Sequence, residues 1–214
     1  MISPSTSVYK LEMICDDPLY EGLALSLDLP SRLGQDSLVD DITPGVNISP
    51  ETRLWSQPNL APGWQPPRCD GAVRPENDYP CINLFLPAFS KRAYDALSDL
   101  LLPNGELLPL VTHAGSFFFF NVTTIVDALD LEASKCKFWC DPPTTAVNVY
   151  HFEFLPDRLK GLSIFRILEL PSFTFVTETF VERVKAAGLQ GFCFRKVSPI
   201  PPDEHWRKNE LILR

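Results

Sequence analysis

The sequence predicts an α+β fold: a mixed, largely antiparallel sheet with two or three helices and a long proline-rich loop in the N-terminal third. Three observations carry this. Short period-two apolar runs recur along the chain, separated by the tight turns that suit antiparallel neighbours. Helical spacing is confined to two or three segments that do not alternate regularly with strands, which argues against a doubly wound parallel sheet. Hydrophobic residues make up 45% of the chain and charged residues 21%, enough apolar material for a sizeable core without disulfides.

Ser7–Cys15 alternates as a strand does, and Gly22–Leu29 sets Leu23, Leu25, Leu27 and Leu29 in one register, with Asp16-Asp17-Pro18 as the turn between them. Both strands leave an apolar face that needs cover, so they are expected to join the same sheet system as the later strands. From Pro30 to Pro80 the periodicity dissolves among Pro44, Pro50, Pro58, Pro62, Pro66, Pro67 and Pro75, with Trp55 and Trp64 placed to pin the loop to the body of the fold. Order returns with a short strand over Cys81–Leu86. Ser90 then caps a helix running through Leu101, with Ala93, Leu97, Leu100 and Leu101 on one face and Pro103 ending it.

Asn104-Gly105 turns into a strand through Val111, and His113–Ser116 turns again into Phe117–Val122. Four consecutive phenylalanines there predict a central strand buried on both faces. Thr124-x-x-Asp127 has the form of a capping box, which predicts a short helix with Ile125, Ala128 and Leu129 inward. Ala146–Phe154 alternates as a strand, placing His151 on its polar phase. Ser163–Leu170 and Phe173–Val176 follow as strands broken at Pro171-Ser172. Thr177 caps a helix over Glu178–Ala187, Gly188 suits the left-handed residue that ends it, and Leu189 packs back. Phe192–Val197 is the last predicted strand, because the tail from Pro199 is proline-rich and polar. The chain thus reads as one unit, 1–214: an acidic, loop-rich part over 1–80, a core over 81–198 and a tail over 199–214.

Charge is uneven along this unit. Met1–Asp78 carries 12 acidic and 5 basic residues, a balance of −7, whereas Tyr79–Arg214 carries 15 and 14, a balance of −1. An acidic surface disfavours nucleic acid and favours a basic protein partner, although excess negative charge also serves solubility alone. No basic and apolar leader precedes Asp17, and no apolar run approaches the ~18 residues of a membrane span. The expectation is a cytoplasmic protein with reduced thiols and no membrane partner.

Signatures of common enzymes are missing: no phosphate-binding glycine loop, no Gly-x-Ser-x-Gly and no His-Glu-x-x-His occurs. His113, His151 and His205 are widely spaced, which suits hydrogen-bonded or surface roles better than catalysis. Cys136 and Cys140 stand four apart like half a zinc site, but no second pair follows, so neither a metal nor a cofactor is expected. Asp127, Asp130 and Glu132 form a carboxylate cluster open to two readings. One is acid–base or cation chemistry with His113; the other, favoured by the capping pattern, is structural.

Landmarks from Leu84 to Phe194 carry a further signal. They are Leu-Pro-Ala-Phe-Ser (86–90), Gly-Glu-Leu-Leu-Pro-Leu (105–110) and Phe-Phe-Phe-Asn-Val-Thr-Thr-Ile-Val-Asp-Ala-Leu-Asp-Leu-Glu-Ala-Ser (118–134). Ile-Phe-Arg-Ile (164–167) and the stretch from Val176 to Phe194 complete the order. Over roughly the last two thirds of the chain this resembles a bacterial family, formerly a domain of unknown function, assigned to the immunity proteins of polymorphic toxin systems. Asp127, Asp130 and Ser134 match that family's Asp-x-x-Asp…Ser pattern. The resemblance implies a non-catalytic protein that binds and neutralises a cognate toxin. The acidic N-terminal part, with Asp36, Asp40 and Asp41 as charges and Trp55 and Trp64 as aromatic anchors, is then the candidate recognition surface. Two alternatives stand beside it: an enzyme of unrecognised type using the carboxylate cluster, and a regulatory module binding a small ligand or peptide.

Overall fold

The computed structural model describes residues 6–25, 59–82, 86–138, 146–201 and 204–214. Its architecture is α+β, with mixed, largely antiparallel sheets and two α-helices among the described residues.

Strand β1 (Val8–Met13) holds the middle of the principal sheet, between β13 (Phe192–Ser198) and β12 (Leu170–Thr177). The six-stranded order is completed by β14 (Glu210–Leu213) outside β13, and by β11 (Ile164–Ile167) and β8 (Ile125–Val126) outside β12. All pairings are antiparallel except β8 with β11. The N-terminal strand therefore joins the later ones, as its uncovered apolar face required.

The sheet is buried on both faces. On one lie Leu11, Ile164, Val176, Phe192 and Phe194 under the helices α1 (Lys91–Leu101) and α2 (Glu178–Ala186). On the other, Phe165, Phe175 and Val197 pack with Val149, Phe152, Phe154 and Trp206. A second sheet sets β7 (Phe117–Val122) between β4 (Ala88–Ser90) and β5 (Gly105–Pro109), so the phenylalanine run is central as expected. Two smaller sheets pair β2 (Ala24–Leu25), β3 (Arg68–Asp70) and β6 (Val111–Thr112), and β9 (Lys135–Phe138) with β10 (Ala146–His151).

Both helices form for local reasons. The Ser90 hydroxyl accepts from the Ala93 N–H at 3.1 Å, starting α1, and Ala93, Leu97 and Leu101 are buried. Gly188, at φ +62°, ends α2: its N–H donates to Lys185 O at 3.0 Å and that of Leu189 to Val184 O at 3.1 Å. This is the double closure a left-handed glycine permits, and Leu189 joins the core. Arg183 then fastens α2 to α1 through Asp99 at 2.7 Å. At the junction of α1, α2 and β13, the buried Asp78 carboxylate accepts from the Ser90 hydroxyl at 2.6 Å and the Gln190 N–H at 2.9 Å, and pairs with Arg92.

Several expectations are corrected. Residues 125–129 are not a helix: β-branched Ile125 and Val126 form β8, and Arg166 N–H donates to Thr124 O at 2.9 Å, so sheet pairing overrides the local capping pattern. Thr177 starts α2 without capping it, since its hydroxyl donates to Leu162 O at 3.0 Å. The hairpin turn falls at Leu168-Glu169, leaving Pro171 and Ser172 inside β12. Cys81–Leu86 shows isolated bridges at Ile82 and Leu86 in place of a strand, with 83–85 outside the described residues. Within Gly22–Leu29, Ala24–Leu25 is strand, and 26–29 lie outside the described residues. His151 is buried.

The tail needs the largest correction. Trp206 is 2% exposed and donates its indole N–H to Val149 O at 2.8 Å, and Leu211 and Leu213 of β14 pack on the core. Polar Asp203–Lys208 stands in front of an alternating strand and hides it.

Candidate functional site

Strands β1 and β12 pair only over Val8–Lys10 and Thr177–Phe175, while β1 continues along β13 to Met13. Beyond Lys10 the principal sheet forks. The fork opens a cleft of about 470 Å³, walled by Leu11, Glu12 and Met13 on one side and Ser172, Phe173 and Thr174 on the other. Tyr79, Cys81 and Cys193 also line it. The Lys10 ammonium reaches across the fork and lies 3.7 Å from the centre of the Phe173 ring.

The charges at its mouth are matched to one another. Glu12 meets Lys10 at 2.5 Å and Arg195 at 2.9 Å, and Arg195 also pairs with Glu210. Burial works to raise the Glu12 carboxyl, but hydrogen bonds and charges from Lys10 and Arg195 outweigh it and hold it below the usual range. Burial pushes the Cys81 and Cys193 thiols up to about 12 and raises Cys15 as well. These sulfurs stay protonated near neutral pH, so the cleft contains no thiolate nucleophile. Its polar groups are arranged as a self-paired rim.

The sequence-predicted residues scatter. Asp36, Asp40, Asp41 and Trp55 lie outside the described residues. Trp64 is half-buried, stacks on Phe119 with centroids 5.8 Å apart and donates its indole N–H to Pro109 O at 2.8 Å. Beside it, the Glu106 carboxylate accepts from the Leu60 and Ala61 N–H groups at 2.8 and 3.1 Å. The end of the proline-rich segment is thereby clamped to β5.

Asp130 and Ser134 come together with Glu153, next to β10. Asp130 Oδ1 accepts from the Glu132 and Ala133 N–H groups at 3.0 and 3.1 Å, closing the turn. The Ser134 hydroxyl donates to Glu153 O at 3.2 Å and accepts from its N–H at 3.0 Å. Asp127 is exposed beyond β8. His113 contacts Arg68 at 2.7 Å, on a different sheet from β8, and shares no hydrogen bond with Asp127 or Asp130. Cys140 lies outside the described residues, and among those described no cluster of histidine, cysteine and carboxylate groups is arranged to hold a metal.

The cleft itself was missed in the sequence. Its one signal was Pro171-Ser172, which interrupts an otherwise regular strand pattern where β12 parts from β1. No helix among the described residues is long and apolar enough to cross a membrane.

Residues 111–199 match the immunity protein family Imm11. The match spans β6 to β13 with α2, and so takes in β11 and β12, Asp127, Asp130 and Ser134. It is an immunity-protein family, as the landmark residues suggested. Among curated proteins no match to this chain was found.

Proposed function

We propose that the chain is an immunity protein that binds a cognate bacterial toxin and neutralises it without catalysis, in the cytoplasm of the cell that makes both. The Imm11 match over residues 111–199 is the observation that carries this reading. Two structural points support it. The carboxylates most open to a catalytic role divide between a backbone-closing turn at Asp130 and an exposed site at Asp127, with His113 bonded elsewhere. The thiols that line the cleft are held protonated by burial.

On this reading the acidic N-terminal part, with Asp36, Asp40, Asp41, Trp55 and Trp64, offers the recognition surface and the partner is basic. The test is co-expression with the product of a toxin gene neighbouring its own. A tagged copy should retain the toxin through purification and restore growth to cells expressing it. Growth arrest unchanged by the protein, with no toxin retained, would overturn the reading.

A further inference from the structure

We propose that β14, the outermost strand of the principal sheet, is a self-association edge, along which two copies of this chain pair antiparallel and run their sheets into one. The proposal does not rest on the immunity reading.

Hydrogen-bond parity shows which groups this edge offers. β14 stands at the end of the six-stranded order and pairs with β13. Lys196 N–H donates to Asn209 O at 2.8 Å, in the register that sets Arg195 opposite Glu210. Residues 209, 211 and 213 therefore turn their backbone groups toward β13, and Glu210, Ile212 and Arg214 turn theirs away. No strand stands on that outer side among the described residues, and no backbone hydrogen bond outside the ladders takes up these groups. Such an edge is a template for pairing with another chain.

The sequence of the edge fits a second copy of itself. Consider the antiparallel register that places Ile212 opposite its own counterpart on a two-fold axis. Glu210 then faces Arg214 of the second copy, and Leu211 faces Leu213, each pair occurring once on either side of the axis. Parity agrees with this register. The outward residues 210, 212 and 214 all fall at positions where a facing pair exchanges both of its backbone bonds.

Charge and packing choose this register over its neighbour. Opposite charges directly across a strand pair attract, and like charges oppose pairing. Moving the two-fold axis to Leu211 would set Glu210 against Ile212 and lose the match. The Glu210 and Arg214 side chains are 38% and 52% exposed, so each can meet a facing charge while keeping its own contact with Arg195 or Asp16. Leu211 and Leu213 are half-buried against the core beneath the helices, and facing copies of them would extend that apolar layer. The same patch serves both subunits, so the contact closes as a dimer.

Sedimentation equilibrium of the full-length protein tests this first. The mass should rise from 24.1 kDa toward twice that value with concentration. Glu210→Arg and Arg214→Glu each bring like charges together and should each weaken the dimer about tenfold at low salt, and the two combined should restore it. Ile212→Pro removes an outward N–H and spares the β13 ladder, so it should leave monomer. In the wild type, amide exchange at Glu210 and Ile212 should slow about tenfold from dilute to concentrated protein, and far less at Leu211 and Leu213, which already face β13. A single 24.1 kDa species up to about 1 mM, or a dimer indifferent to all these variants, overturns the edge. Should Ile212→Pro not fold, as judged by its melting curve, charge reversal and its rescue decide. Protection of Glu210 and Ile212 that appears only when toxin is added overturns the second copy as occupant.

Discussion

Asp130 and Ser134 tie a turn to the end of β10 through four hydrogen bonds to backbone groups, whereas Asp127, three residues earlier, makes none among the described residues. The pattern that the sequence presents as one motif therefore has unequal members. Each such bond contributes about 0.5–1.5 kcal/mol net, and more where its loss strands a buried group. Asp130→Ala and Ser134→Ala should each lower the melting temperature by several degrees at ~2–4 °C per kcal/mol, while Asp127→Ala should not lower it. Thermal melts beside toxin binding check this. Intact stability with lost binding in Asp130→Ala would promote the carboxylates to a functional site. Glu169 supplies a second test at this scale. It is 5% exposed, its Oε2 has no hydrogen-bond partner among the described residues, and burial, assisted by the Asp127 charge, holds its carboxyl above the usual value. The folded state then binds this proton more tightly than the unfolded chain. Its contribution is full below the unfolded value of ~4.3 and is lost as pH rises through the raised one. Glu169→Gln should accordingly raise the melting temperature at neutral pH, and the gain should vanish on acidifying below ~4. An equal gain at both pH values would show that the charge is not the cause.

Elements whose signals are local were legible in the sequence. The Ser90 cap with its apolar face, the Gly188 stop after α2, and the phenylalanine run of β7 each need only neighbouring residues to be read. Elements whose existence depends on distant pairing were not. Two-residue β8 exists because β11 offers an edge, and β14 because β13 does. A cap-like pattern hid the first and a polar stretch hid the second. The cleft was less legible still, since it is a place where pairing stops. The tail gives this a measurable form. Trp206 is nearly enclosed, its ring 5.6 Å from Phe152 and its N–H bonded to Val149 O. Trp206→Ala should cost about 3–5 kcal/mol, in the range of large-to-small core changes. A tail that were mere appendage would lose almost nothing, so denaturant titration of this one variant separates the two descriptions.

At the scale of the whole molecule the outstanding feature is the split of charge, −7 over Met1–Asp78 against −1 over Tyr79–Arg214. The family match lies entirely in the near-neutral part, over residues 111–199. That arrangement suits a common scaffold carrying a partner-specific acidic portion, and it sets apart two kinetic roles. Long-range attraction governs encounter and is screened within ~8 Å at physiological ionic strength, whereas aromatic anchors act after contact. Charge reversal of Asp36, Asp40 and Asp41 should slow association with the toxin, most at low salt, and leave dissociation little changed. Truncating Trp55 should mainly speed dissociation. Trp64→Ala should do so as well, but with a stability loss of its own, because Trp64 also anchors the loop to Phe119 and Pro109. Matched reversals in the Tyr79–Arg214 part should change association less. Stopped-flow association of these variants at low and high salt separates the contributions. If association is indifferent to salt and the acidic-segment variants bind like wild type, recognition belongs to another surface.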